Sequence, residues 1–218
     1  MKFYRHHWYY VGIYLFIGLA FIMGFWGNRI EEIQKILIYS FMALLVHQFE
    51  EYACPGGFPP IFNIAVLGEK KTPERYPLNA NQCLVTNVYM AYFFYILAIL
   101  FPNLIWLGLA QVLFGMLQVL VHGVVVNIRL KSIYNPGLGS ALLLHVPIGI
   151  YYVFYVTTNH LISGKDWLFG IIVTLLATFA TVVLPIRLMG DKKSKYPFNQ
   201  REMGGYAKEK VKRIREAK

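Results

Sequence analysis

Charge is what this sequence has least of. Only 15% of its 218 residues are Asp, Glu, Lys or Arg, where a soluble domain of that size carries about 25%. What charge there is sits in short stretches between long apolar runs, so an ordinary water-facing surface is excluded for most of the chain. Cysteine is scarce too: Cys54 and Cys83 are the two present, and they form neither a disulfide framework nor a CxxC pair. P-loop, GxGxxG, GxSxG and HExxH motifs are all missing, as are internal repeats and low-complexity tracts. A second domain has no support in the length or the composition.

Apolar residues make up 57% of the chain, and they are concentrated. Six segments are long enough to cross a hydrocarbon core of roughly 30 Å: 8–26, 33–49, 83–101, 104–126, 138–158 and 167–189. The expected fold is therefore all-α, a polytopic transmembrane helical bundle over residues 1–190, followed by a basic tail, 191–218. The first segment follows the basic start MKFYRHH, as a signal peptide would. Its apolar run of about 19 residues is too long for an h-region and no small-x-small cleavage site follows, so it reads as a retained anchor. The second segment is the weakest, since it contains His47 and ends in two glutamates. Pro102-Asn103 makes a tight turn, pairing the third and fourth spans as a hairpin.

The net charge of +10 does not imply a nucleic-acid partner, because of where the cations are. Lys192, Lys193, Lys195, Arg201, Lys208, Lys210, Lys212, Arg213, Arg215 and Lys218 all lie in the tail. With six spans, Lys2, Arg5, Lys70, Lys71, Arg75, Arg129 and Lys131 fall on the same side, against Arg29 and Lys165 opposite and Lys35 near the start of the second span. The positive-inside rule then makes both termini cytoplasmic, in a multi-pass protein of the cell membrane whose partner is the lipid bilayer. Residues 207–218 could form a short basic helix, but a solvated tail is the expected state. The connection 50–82 becomes a cytoplasmic loop. Its stretch ACPGGFPPIFNIAVLG is too rich in Pro and Gly for a regular helix, yet carries Phe58, Ile61, Phe62 and Ile64. It should lie on the membrane or fold over the helix ends, as a lid or as plain packing.

Embedded ionisable groups are costly and are usually functional or paired. His47, Glu50 and Glu51 close the second span at helical spacing, so the histidine shares a face with both acids. The expected topology places Asn87, His122, Asn127 and His145 at similar depth in the same leaflet. His160 falls on the opposite side and is excluded. In Tyr134-Asn135-Pro136-Gly137, Asn135 suits a helix N-cap and Pro136 the first helical position. A phosphate or carboxylate of a substrate could sit at that helix start, with Arg129 nearby. Pro147 should kink the fifth span close to His145.

The His47-x-x-Glu50-Glu51 signature at the end of a second span, with the downstream Asn and His positions and the Tyr134–Gly137 turn, resembles the HXXEE family of prokaryotic membrane proteins. The resemblance covers most of the membrane region and not the tail. It implies a bundle with a shared polar site at His47, Glu50 and Glu51, and no particular reaction.

Two chemistries and one structural role fit this residue set. Three histidines and a carboxylate match a catalytic divalent-metal site, zinc above others, with His47, His122 and His145 as ligands and Glu50 or Glu51 as fourth ligand or base. Such an ion lowers the pKa of its water and the glutamate takes the proton. The substrate would be a lipid or amphipathic ester or amide, with Asn87, Asn127, Arg129, Tyr134 and Asn135 as binding residues. A di-iron carboxylate site is disfavoured, since only two carboxylates are embedded. A proton-coupled carrier would use one glutamate as its proton site, but the lack of repeats and the off-centre depth speak against it. In the structural reading the histidines simply hydrogen-bond between helices.

Overall fold

The computed structural model describes residues 2–217. Among the described residues the chain is helix and turn, with no strand. A short α1 (Lys2–Arg5) leads into α2 (Trp8–Arg29) and α3 (Glu32–Tyr52). A short helix, α4 (residues 58–66), interrupts the next connection. Then follow α5 (Ala80–Leu100), α6 (Ile105–Leu130), α7 (Leu138–Thr158) and α8 (Gly164–Met189), and finally α9 (Lys208–Glu216).

Five of these helices, α2 and α5 through α8, are long and apolar enough to cross a membrane. The sixth expected span, α3, falls short of that measure, and its position explains why. It is the central helix, with 13 of its 21 residues buried against α2, α5, α6 and α7. A helix walled off from lipid by its neighbours can carry Glu50 and Glu51, whereas the lipid-facing helices expose Phe21, Phe25, Phe93 and Leu175. The boundaries 138–158 match those expected; α6 runs four residues longer, to Leu130, and α5 starts three earlier, at Ala80.

Close approach within the bundle rests on small residues, as expected where lipid offers no hydrophobic drive between helices. Gly108 and Gly115 on α6 face the rings of Tyr152 and His145 on α7, and Gly170 on α8 faces Leu109. Glycines and rings are each seven residues apart, which sets the register of the antiparallel α6–α7 pair. Four long helices carry a widened π-helical turn: Val85–Met90, Leu120–Val126, Ala141–His145 and Phe179–Val183. The last two directly precede Pro147 and Pro185, whose missing N–H and ring displace the preceding carbonyls. All four lie towards the same end of the bundle, where such turns often accompany functional sites.

That end also holds both termini. Arg5 Nε donates to Asn81 Oδ1 at 3.0 Å, and His6 Nδ1 meets Glu202 Oε2 at 2.8 Å. Here the expectation of a solvated tail fails. Phe198, Glu202 and Val211 are buried, the last among Ile61, Ile64, Val126 and Leu130, each such apolar side chain contributing about 1.5–3 kcal/mol. Tyr206 N donates to Gly56 O at 3.0 Å, and a Cβ at Gly57 would stand 2.7 Å from Gly204 O, so only glycine lets the tail lie this close to the 53–79 connection. That connection folds over the helix ends, with Phe58 and Leu78 in one cluster with Trp8, Tyr9, Tyr52 and Phe198.

Candidate metal centre

Three side chains converge beneath this cover. His47 and Glu51 come one turn apart from α3, and His122 comes from the π turn of α6. Their donor atoms all lie within 4.8 Å of one another, and all three residues are buried. Glu51 Oε1 stands 3.3 Å from His122 Nε2 and 3.7 Å from His47 Nε2. The His122 Nε2 lacks the alignment of a hydrogen bond and has no other partner.

The outer hydrogen bonds fix which nitrogen carries the proton. Asn135 Nδ2 donates to His122 O at 2.7 Å and to Asn127 Oδ1 at 2.8 Å, so its Oδ1, 2.7 Å from His122 Nδ1, is the acceptor there. His122 is therefore protonated on Nδ1. Ser140 Oγ donates to Glu50 Oε2 at 2.5 Å and takes the Nδ1 proton of His47 at 3.0 Å. Both imidazoles then turn Nε2 towards the Glu51 carboxylate, where a neutral ring offers a lone pair and a charged ring a proton. Two ring nitrogens and a carboxylate oxygen converging in a buried space are donor atoms that a divalent cation can use. Remote nitrogens anchored by hydrogen bonds are also the arrangement that orients metal-ligating histidines.

The two glutamates of the motif have different surroundings. Glu50 accepts from Tyr134 Oη at 2.8 Å, Gly139 N at 3.0 Å, Ser140 N at 2.8 Å and Ser140 Oγ. It occupies the start of α7, where free N–H groups and the helix dipole favour an anion. The site expected there for a substrate anion is filled by the protein's own carboxylate. Asn135 is not the N-cap: Gly137, at φ +103°, holds that position, and a Cβ on it would run into the His122 ring. Burial and the adjacent Glu50 raise the Tyr134 hydroxyl well above its ordinary value, so it remains a donor.

The other nominated residues are dispersed around this core. The His145 ring stands 5.6 Å from the His47 ring, outside the three-donor group, and its Nε2 is buried without a partner. Asn127 donates to Ile133 O at 3.1 Å and braces the 131–137 turn. Asn87 donates to Cys83 O and receives Gln48 Nε2 on its carbonyl, both at about 3 Å. Arg129 is exposed on the outer surface of α6. The Phe58 ring lies tilted 5.3 Å from that of His122, so the 53–79 connection covers the site. Ser140 and Gly139 escaped sequence reasoning, and Gly137 was read only as part of a turn; the signal available was a Gly-Leu-Gly-Ser run at a helix start, the pattern that leaves N–H groups bare.

A polytopic all-helical membrane bundle with a buried His/Glu donor cluster is the class these features define. The chain belongs to the family described as "Protein of unknown function with HXXEE motif", whose model matches residues 38–152. That stretch runs from α3 to α7 and contains every residue of the cluster. No curated protein and no solved structure matches the chain.

Proposed function

We propose that this protein is a metal-dependent membrane hydrolase in which His47, Glu51 and His122 hold a divalent cation, zinc by preference. The supporting observation is the convergence of two ring nitrogens and a carboxylate oxygen, all within 4.8 Å of one another, in a buried space. Two histidines and a glutamate are a set used by catalytic zinc, with a further position left for water. The ion would supply Lewis acidity and a more acidic water. With Glu50 engaged at the start of α7, His145 Nε2 is the group we assign to accept a proton. Hydrolysis of an ester or amide sends the water's hydroxyl to the acyl carbon and its proton, by way of His145, to the departing alkoxide or amine. The substrate in this reading is a lipid or amphipathic molecule.

The cations Lys70, Lys71, Arg75, Arg129 and Lys131 and the tail gather at the end that carries both termini. By the positive-inside rule this favours a cytoplasmic position for that end, in a multi-pass protein of the cell membrane. Elemental analysis of purified protein tests the metal. About one equivalent of zinc is expected in wild type, and none in His47→Ala or His122→Ala. Wild-type protein that takes up no stoichiometric divalent metal overturns the proposal, and leaves a His122–Glu51 ion pair tying α3 to α6.

A further inference from the structure

Beside the donor cluster lies a cavity of about 140 Å³. It is bounded by α3, α5, α6 and α8 and roofed by Phe58 and Phe62. His47 and Glu51 form one stretch of its wall; Leu44, Ala91, Phe114 and Leu117 make much of the rest apolar. On the far side the lining includes Val182, which is 38% exposed on α8, the helix that turns Leu175 (62%) and Leu176 (60%) outwards. The π turns of α5 and α8 both contribute lining residues, Thr86 and Asn87 from one, Thr181 and Val182 from the other. The cavity therefore leads from a buried pair of polar groups to a surface built for hydrocarbon.

We infer that this cavity receives the hydrocarbon chain of a membrane amphiphile, entering sideways past Val182 between α5 and α8. This rests on reading the His/Glu cluster as a reaction centre. An apolar cavity of ~150 Å³ takes a ligand the size of benzene, so roughly six carbons fit and a whole two-chain lipid does not. The chain segment next to the polar end occupies the cavity, the bond to be cut lies against His47 and Glu51, and the rest of the chain stays in the bilayer along α8. Small side chains at Ala91 and Thr181 keep the space open.

The test is photolabelling of the full chain in nanodiscs. One arm uses a phosphatidylcholine with a diazirine near the sixth chain carbon, the other a free fatty acid with the same group; peptide mapping follows. Labels on α5 and α8 at the cavity are expected with at least one of the two, the arm that labels naming the source of the chain. Thr181→Trp and Ala91→Phe, each checked by thermal melting, should cut that labelling at least ten-fold, and Leu175→Trp on the outer face should not. Labels confined to outward residues such as Phe93 and Leu175, unchanged by Thr181→Trp, overturn the inference. Bound metal is measured separately on the same samples. Metal without cavity labelling sinks the chain site alone, and cavity labelling without metal sinks the hydrolase reading alone.

Discussion

Replacing Glu50 and Glu51 by glutamine, one at a time, separates their jobs. Glu50 receives four hydrogen bonds, from Tyr134, Gly139 and twice from Ser140. A glutamine oxygen can keep Tyr134 and Gly139, but its amide then faces the Ser140 N–H and hydroxyl. The hydroxyl can swing to Gly137 O, 3.2 Å away; the backbone N–H cannot. One orphaned buried donor costs about 1–3 kcal/mol, and the lost charge at the helix start about 0.3–1 kcal/mol more. Glu50→Gln should therefore lose roughly 1–4 kcal/mol, a Tm drop of about 3–16 °C by the scaling for chains of this size. Its metal content should stay near that of wild type, since Ser140 still accepts from His47. Glu51→Gln should do the reverse, losing the metal with little fall in the metal-free Tm, because beside two neutral histidines the metal-free carboxylate is a buried charge without a partner; a large fall would instead mark a His122–Glu51 ion pair. A thiol-reactive dye reads both melts: Cys83 is buried and Cys54 exposed, so a Cys54→Ser background reports unfolding through Cys83. If Glu50→Gln melts with wild type and loses its metal as Glu51→Gln does, the division of labour is wrong.

The remaining expectations concern the cluster's supports and the tail. Asn135→Ala frees His122 Nδ1 and should weaken metal binding about 10–100-fold, the usual effect of removing an outer partner, measured by competition with a zinc chelator. Gly137→Ala meets both a positive φ and the His122 ring; it should destabilise by more than about 1 kcal/mol and weaken metal binding, read from the same melts and titrations. His145→Ala should retain stoichiometric metal, and its loss there would make His145 a fourth ligand. Glu202 supplies a pH test: burial, the largest cause, raises its carboxyl above the ordinary value, against the Asn199 N–H and His6. A raised folded-state value means that the docked tail holds a proton the freed tail releases. This contribution to docking is complete below the unfolded carboxylate value of about 4.3 and is lost as pH rises through the folded value. A spin label at Glu209→Cys should become more mobile as pH rises, and the change should vanish in Glu202→Gln.

Much of the bundle could be read from residue order alone. Lipid-facing helices must be apolar along their length, so α2 and α5 to α8 announce themselves, and the hydrophobic period needs no tertiary information. The same solvent makes His47, Glu51 and His122 conspicuous, because an ionisable group among apolar residues needs a reason. Packing decided the rest. The sequence offers no way to see that α3 is shielded by its neighbours, and hence why its lower hydropathy is tolerated. Nor could adjacent glutamates be told apart: they differ by about 100° around α3, and only the arrival of α7 on one side turned Glu50 into a helix-end partner and left Glu51 to the histidines. The tail looked solvated because its charges dominate any local measure, while the few buried side chains that dock it, Phe198, Glu202 and Val211, depend on surfaces far away in the sequence, such as Trp8, His6 and Ile61. Composition settles what lies in lipid, since that is a property of each segment. Which polar groups meet is a property of pairs of segments, and only the folded chain decides it.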